Sequence, residues 1–157
     1  MNKFEKRLKN PQLLRSENPS DHVCAMFYPV DVTTKKVFLG HHKKANDWIS
    51  PGGHIDEGEL PVETAARECC EELNFKADQN SFRLFDIDYL KLAPSKNVCR
   101  IHWHIVYLLP LKETQFSFTK EEFYDAGWFG IDIALKLTRI PTYRNELKKL
   151  QKVFTYL

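Results

Sequence analysis

The chain has 157 residues, of which 43% are hydrophobic and 28% are charged, so it predicts a globular domain and excludes a disordered polypeptide. No apolar run approaches the ~18–20 residues of a membrane-spanning helix, and the basic first 21 residues lack the apolar centre of a secretory signal. Four cysteines without CxxC spacing indicate free thiols in a cytoplasmic protein. The net charge is +2, and the basic residues are spread along the chain without forming a stripe, which argues against binding to duplex nucleic acid.

The first third of the chain is predicted to hold a terminal arm followed by strands. Residues 1–21 are charged and interrupted by Pro11 and Pro19, which favours an N-terminal helix or arm ahead of the core. Two predicted strands follow, at Val23–Val30 and Lys36–Leu39, and then a short apolar segment at Trp48–Ile49. The last of them ends at a Pro-Gly-Gly sequence, whose two glycines permit a strained turn that brings the backbone close to a ligand.

A central helix is the most informative element of the sequence. Its apolar residues recur at helical spacing and form one continuous stripe, consisting of Val62, Ala65, Ala66, Cys69, Cys70 and Leu73. Pro61 suits the first position of this helix, and Asn74 suits a left-handed residue at its end. We expect Cys69 and Cys70 to be small buried side chains, because an apolar face disfavours the reactive thiolate.

The remaining elements are strands and a second helix. Strands are predicted at Phe82–Leu92, Val98–Leu109 and Trp128–Ile131, and the first two are joined by a turn at Pro94–Asn97. In the second strand Arg100, His102 and His104 alternate with apolar residues, so they share one face. Residues 142–157 carry apolar side chains at helical spacing and predict a C-terminal amphipathic helix. Together these elements predict a single α/β domain over residues 1–157.

An acidic segment lies between His54 and Asp78. It contains eight acids and two bases, a charge of −6, so the rest of the chain carries +8. Glu68, Glu71 and Glu72 fall within an arc of ~100° on the side of the central helix opposite the apolar stripe. One explanation of this clustering is a solvated acidic face. The other is a site for a hard cation such as Mg²⁺, which takes carboxylate and carbonyl oxygens and would offset the mutual repulsion of the acids.

The acidic segment also resembles the signature sequence of the Nudix hydrolases, the MutT-like family. The signature reads G-x5-E-x7-R-E-U-x-E-E-x-G-U, where U is a bulky aliphatic residue, and it is matched by Gly53, Glu59, Arg67, Glu68, Glu71 and Glu72. Cys69 occupies the first aliphatic position. Asn74 replaces the last glycine, which a left-handed asparagine can do. Fixed residues at fixed spacing over this length make the resemblance specific.

The resemblance implies a fold and a reaction. The fold is an α/β/α sandwich around a mixed β-sheet. The reaction is Mg²⁺- or Mn²⁺-dependent attack of water on phosphorus, which breaks a pyrophosphate bond in a nucleoside diphosphate linked to another group. A nucleoside triphosphate is the default substrate, and we expect a small-molecule nucleotide as partner and no membrane. The alternative is a non-catalytic nucleotide-sensing or interaction module on the same fold, because fold does not fix function.

The resemblance also assigns roles by position. The catalytic residues would be Glu59, Arg67, Glu68, Glu71 and Glu72. The metal ligands would be the Gly53 carbonyl and the carboxylates of Glu68, Glu71 and Glu72, with Glu68 alternatively acting as the base. Glu59 and Arg67 would pair and orient the loop and helix, and Arg67 is expected to be structural rather than a phosphate clamp.

Other candidates lie outside the signature. A further acid is implied ahead of the last core strand, where Glu121 and Glu122 stand. Trp48, His102 and His104 are candidate substrate contacts. Trp48 is alternatively a core residue, and both histidines are alternatively exposed strand residues without a functional role.

Overall fold

The computed structural model describes residues 3–93 and 98–156 and places a β-sheet between two layers of helices. The helices are α1 (Lys3–Leu8), α2 (Pro61–Leu73), α3 (Ile131–Leu137) and α4 (Pro141–Tyr156), with a short 3₁₀ helix at Gln79–Ser81. The strands are β1 (Asp21–Asp31), β2 (Lys36–His42), β3 (Asp47–Ile49), β4 (Gly52–His54), β5 (Arg83–Lys91), β6 (Ile101–Pro110) and β7 (Phe123–Gly130). None of the helices in these two ranges is long and apolar enough to cross a membrane.

Strand β1 occupies the centre of a mixed sheet. The sheet order is β3-β2-β1-β6-β5, with β4 pairing β1 and β7 pairing β2. Strands β1 and β6 are parallel and stay in register from Asp21↔Ile101 to Val30↔Pro110. The other pairings are antiparallel. The long parallel register decides which residues of β6 meet which residues of β1.

Alternate side chains of β1 enter two hydrophobic cores, as the two-residue period of a strand requires. Val23, Ala25 and Phe27 pack on the face covered by α2, together with Ala65, Cys69 and Leu73. Cys24, Met26 and Tyr28 pack on the face covered by α4, together with Leu147, Leu150 and Phe154. The sheet is therefore covered by helices on both faces, which confirms the predicted α/β/α arrangement.

Helix α2 begins and ends as the sequence predicts, but only one of its two cysteines is buried as predicted. Pro61 is the first residue of the helix, and Asn74 ends it in the left-handed region with φ 48° and ψ 38°. Cys69 is buried, whereas Cys70 is exposed. The prediction that both thiols are buried is wrong for Cys70, because it lies a further ~100° around the helix, where the apolar stripe meets solvent.

The structure also differs from the predicted strands. The Pro-Gly-Gly segment is not only a turn, because β4 pairs with residues 24–26 of β1. Strand β7 is longer than predicted and ends at Gly130, so Ile131 begins helix α3 instead of ending a strand. Strand β6 begins at Ile101 and not at Val98. The predicted turn at Pro94–Asn97 lies outside the described residues.

The N-terminal arm is docked on the sheet. The Phe4 ring meets the Trp103 ring edge-on, with centroids 5.5 Å apart. The Arg7 side chain donates hydrogen bonds to the Asp21 carboxylate and, at 2.7 Å, to the Asp21 carbonyl. These contacts fix the segment that follows, which forms one wall of the cavity described below.

Candidate active site

Arg67 on α2 is the centre of a hydrogen-bond network. Its Nε donates to Glu59 Oε1 at 2.8 Å, and one terminal nitrogen donates to Glu59 Oε2 at 3.1 Å and to the His54 carbonyl at 3.1 Å. The other terminal nitrogen donates to Glu68 Oε1 and to Glu71 Oε2, each at 3.0 Å. A guanidinium has five N–H donors, and all five are used here. Arg67 therefore connects β4 and the loop between β4 and α2 to the helix, and it has no donor left for a phosphate.

Glu59 is held as a carboxylate by this network. Hydrogen bonds from Arg67 are the main reason that its pKa falls from 4.5 to about 2. The Thr64 hydroxyl donates to the same carboxylate at 2.7 Å. In return, the Glu59 hydrogen bond raises the pKa of Arg67 above its usual range. The predicted pairing of Glu59 with Arg67 is thus present in the structure.

The Glu68 carboxylate lies directly against the backbone of Gly53. A Cβ placed on Gly53 would be 2.6 Å from Glu68 Cδ and closer still to Oε1. Only a residue without a side chain leaves this space for the carboxylate. Burial raises the pKa of Glu68, while the charge of Arg67 opposes that rise. This contact brings the backbone of β4 against a carboxylate on the acidic face of α2.

Gly52 serves a different purpose from Gly53. Its φ of +136° is disfavoured for residues with a side chain. A Cβ there would lie 2.7 Å from Met26 Cα in β1. Gly52 therefore lets β4 lie close to β1, and its N–H donates to Glu72 Oε2 at 2.9 Å.

Glu72 is the most buried acid of the site, with 5% of its surface exposed. Burial raises its pKa well above the usual range, and the neighbouring charge of Glu68 adds to this effect. Glu68 is also largely buried, whereas the Glu71 side chain is 58% exposed. The alternative of a solvated acidic face is therefore wrong for Glu68 and Glu72. A buried carboxylate that repels its neighbour is costly unless a cation compensates it.

The segment before β7 covers the end of α2. Thr119 donates its N–H to the Glu72 carbonyl at 2.8 Å and its hydroxyl to the Glu71 carbonyl at 2.6 Å. Three residues later, the charge of Glu122 contributes to the raised pKa of Glu72. Glu122 also contacts His42 Nε2 at 3.4 Å, whereas Glu121 is exposed. Of the two further acids considered, Glu122 is the one whose charge acts on Glu72.

A cavity of about 570 Å³ opens beside Arg67 and Glu68. The N-terminal segment supplies one wall and the β4–α2 loop supplies the other, through Arg15, Ser16, Pro19, His54, Ile55, Asp56 and Glu57. Arg15 is exposed, and its guanidinium has no hydrogen bond or ion pair with the residues that the structure describes. The sequence did not indicate Arg15 as a site residue, because nothing in the first 21 residues reveals where the arm docks.

The three candidate substrate contacts lie elsewhere. Trp48 stacks on His41, with ring centroids 5.3 Å apart, and does not line this cavity. His104 is 1% exposed, and its Nδ1 lies 3.3 Å from Glu146 Oε1. The His102 ring packs against the rings of His22 and His54. The alternative of exposed strand histidines is wrong for His104, because α4 covers that face of β6.

Comparison with known proteins agrees with this geometry. The NUDIX domain family matches residues 21–150. The dihydroneopterin triphosphate diphosphatase of Haemophilus influenzae is 26% identical over 148 residues, which cover 87% of this chain and 90% of that protein. The asymmetrical bis(5'-nucleosyl)-tetraphosphatase of Rattus norvegicus is 30% identical over 107 residues, which cover 65% of this chain and 68% of that protein.

Solved structures share the fold. The dihydroneopterin triphosphate pyrophosphohydrolase of E. coli superposes with a TM-score of 0.69 at 22% identity, covering 81% of this chain and 92% of that one. The Ap4A hydrolase of C. elegans superposes with a TM-score of 0.63 at 17% identity, covering 86% of this chain and 97% of that one. At these identities the likeness establishes the arrangement of strands and helices.

Proposed function

Because the chain belongs to the Nudix hydrolase family and is a nucleotide pyrophosphohydrolase, we propose that its catalytic centre is the acidic face of α2 opposite β4. Glu68, Glu71 and Glu72 project from this face, and Gly53 stands opposite Glu68. One observation carries the proposal: the Glu68 carboxylate fills the space beside Gly53 that any side chain would occupy. The contact joins the carboxylates to a backbone segment at the edge of the cavity.

The donors in this centre fit a hard divalent cation, which Nudix hydrolases generally use. Carboxylate and carbonyl oxygens are the ligands that Mg²⁺ and Mn²⁺ prefer. We propose Mg²⁺, or alternatively Mn²⁺, held by the Gly53 carbonyl, Glu68, Glu71 and Glu72. When bound, such an ion neutralises phosphate charge and lowers the pKa of the attacking water. Its charge would also oppose the effects that raise the pKa values of Glu68 and Glu72, which are burial first and the repulsion of neighbouring carboxylates second.

The remaining residues have positioning roles in this proposal. Arg67 uses all its donors on Glu59, Glu68, Glu71 and the His54 carbonyl, so it sets the direction of two proposed ligands. Glu59 holds the Arg67 guanidinium in place. Glu122 is the further acid that we favour over Glu121, because its charge reaches Glu72.

The substrate we propose is a polyphosphate ester with three or more phosphates. The two relatives named above act on dihydroneopterin triphosphate and on bis(5'-nucleosyl) tetraphosphates, as their names state. These compounds share a phosphate chain esterified to a hydroxyl of a group that carries a heterocyclic ring. Arg15 lies on the cavity wall, and its guanidinium has no hydrogen bond or ion pair within residues 3–93 and 98–156; a guanidinium binds phosphate oxygens in pairs. We therefore place the phosphate chain between Arg15 and Glu68.

A cytoplasmic location stays a prediction, supported by the four free cysteines.

The experiment that tests this function is a hydrolysis screen. Nucleoside triphosphates, dinucleoside tetraphosphates and dihydroneopterin triphosphate are each incubated with Mg²⁺, with Mn²⁺ and with EDTA. We expect metal-dependent cleavage, with heavy oxygen from labelled water in one phosphate product. Arg15→Gln should raise KM more than it lowers kcat, because the residue contacts the phosphate chain and no reacting group. Tight nucleotide binding without turnover in every metal would instead support the interaction module.

A further inference from the structure

A second group of metal-ligating side chains lies on the face of the sheet opposite α2, and one of its members, His54, also lines the cavity beside Glu68. It consists of His22, Cys24, His54 and His102, whose ligand atoms all lie within 4.8 Å of one another. We propose that these four residues form a transition-metal site, with Zn²⁺ as the ion. This inference does not rest on the proposed function, and its test does not measure hydrolysis.

The strand register brings these residues together. His22 of β1 pairs with His102 of β6, and Cys24 of β1 pairs with His54 of β4. Residues two apart on a strand point to the same side, so His22 and Cys24 face the same side of the sheet. The ring centroids of the three histidines are 4.8, 4.9 and 5.3 Å apart. Three strands therefore each contribute to one compact cluster.

One ring nitrogen of each histidine in the cluster lacks a hydrogen-bond partner among the residues that the structure describes. Nε2 of His22, of His54 and of His102 is buried and makes no hydrogen bond with the described residues. Buried polar atoms are nearly always bonded, so three orphaned nitrogens that converge require an explanation. A bound cation provides one, because it would accept a lone pair from each.

The tautomer of His22 is the one that a metal ligand needs. Its Nδ1 lies 3.1 Å from the Asn18 carbonyl oxygen, which can only accept a hydrogen bond. Nδ1 therefore carries the proton, and the lone pair is left on the buried Nε2. Metal-bound histidines commonly donate their other N–H to a carbonyl in this way, which fixes the ring.

The donor set selects the kind of ion. Three imidazoles and one thiol are softer ligands than the carboxylates of α2, and they suit Zn²⁺ in a closed tetrahedral site better than Mg²⁺. Ligand atoms of tetrahedral Zn²⁺ are ~3.3–3.8 Å apart, so the side chains would move inward slightly. Binding converts the Cys24 thiol to a thiolate and releases one proton to solvent, with no change in oxidation state. The histidines contribute their neutral forms.

The site would connect β4 to the centre of the sheet. His54 follows Gly53 directly, and its carbonyl accepts a hydrogen bond from Arg67. A Zn²⁺ ion bound to His54 would fix β4 against β1 and β6. The role we assign is therefore structural, holding in place the strand that faces Glu68.

Cobalt spectroscopy tests the proposal. The full chain, purified without a histidine tag, is freed of metal by chelation and titrated with Co²⁺ in the presence of excess Mg²⁺. We expect saturation at one Co²⁺ per chain, intense tetrahedral d–d bands and a thiolate charge-transfer band, all displaced by Zn²⁺. Cys24→Ser should abolish the charge-transfer band, and His102→Gln should weaken binding ~100-fold or more.

Matched variants separate this site from the acidic face. Cys69→Ser changes a buried thiol on the opposite face of the sheet, and Glu72→Gln changes the proposed Mg²⁺ site. Both should keep the cobalt bands. Weak octahedral bands alone, or a charge-transfer band that survives Cys24→Ser, would overturn the proposal. Should Cys24→Ser not fold, zinc X-ray absorption of the wild-type protein decides: a shell of nitrogen and one sulfur supports the site, and an all-oxygen shell refutes it.

Discussion

Gly53→Ala offers a direct test of the contact between β4 and the acidic face of α2. The new Cβ would lie 2.6 Å from Glu68 Cδ. Carbon atoms in van der Waals contact are ~3.5 Å apart or more, so the Glu68 carboxylate must withdraw by about 1 Å. The Glu68 carboxylate is the far end of a flexible side chain, and it can withdraw without moving the backbone. We therefore expect the substitution to displace a proposed ligand and leave the fold intact.

The magnitude follows from that displacement. A misplacement of ~1 Å in a catalytic centre costs ~10²-fold in rate, which is ~2.7 kcal/mol of activation free energy. The free energy of unfolding should change by less than ~1 kcal/mol, because replacing glycine by alanine at a compatible backbone position is itself mildly stabilising. The effect on kcat should thus be much larger than the effect on stability.

Steady-state kinetics and urea unfolding of the two proteins measure these quantities. Gly127→Ala in β7 is the matched control, because the nearest described atom to its Cβ beyond its two chain neighbours is Phe129 Cζ, at 3.6 Å. The control should retain wild-type kcat. If Gly53→Ala hydrolyses within about twofold of wild type while folded, the contact with Glu68 has no part in catalysis. Loss of folding in Gly53→Ala alone would refute the inference that Glu68 withdraws freely.

Three further predictions concern the carboxylates and their partner. Arg67→Gln should lower kcat with a modest loss of stability, since it removes the donors that orient Glu68 and Glu71; unchanged turnover would contradict its positioning role. Glu72→Gln should lower kcat ~10²-fold with little change in KM. Without metal, the variant should melt no lower than the wild type, because the substitution removes a buried carboxylate. Calorimetry with Mg²⁺ should then show the wild type stabilised and the variant much less so, and equal shifts would count against Glu72 as a ligand. Finally, hydrogen bonds from Arg67 lower the pKa of Glu59 to about 2, so the stability it adds is present above pH 4.5 and lost as the pH falls toward 2. The difference in unfolding free energy between wild type and Glu59→Gln should shrink across that window, and a constant difference would contradict this linkage.

Helix α2 could be predicted from the sequence because its signals are local. Pro61 and Asn74 mark its ends, and the spacing of its apolar residues defines its buried face. The position of Glu68 beside Gly53 also follows from the signature resemblance. By contrast, β4 has no apolar alternation, and its strand conformation depends on pairing with β1. Helix α3 is only seven residues long, too short for a clear helical period.

The burial of individual site residues depends on contacts between distant segments. Glu72 is buried because Gly52 and Thr119 close over the end of α2, and neither contact is visible in the helix sequence. His22, His54 and His102 are far apart along the chain. Their convergence requires the parallel register of β1 with β6, which the sequence does not specify.

The most direct test of the central claim is the hydrolysis screen repeated on Glu72→Gln beside the wild-type protein. The catalytic centre proposed here predicts Mg²⁺-dependent cleavage of a pyrophosphate bond by the wild type, abolished by EDTA and reduced ~10²-fold in the folded variant. Circular dichroism of both proteins confirms that the comparison is between folded chains. Equal hydrolysis by the folded variant, or hydrolysis unaffected by EDTA, would contradict a metal-dependent centre on the acidic face of α2.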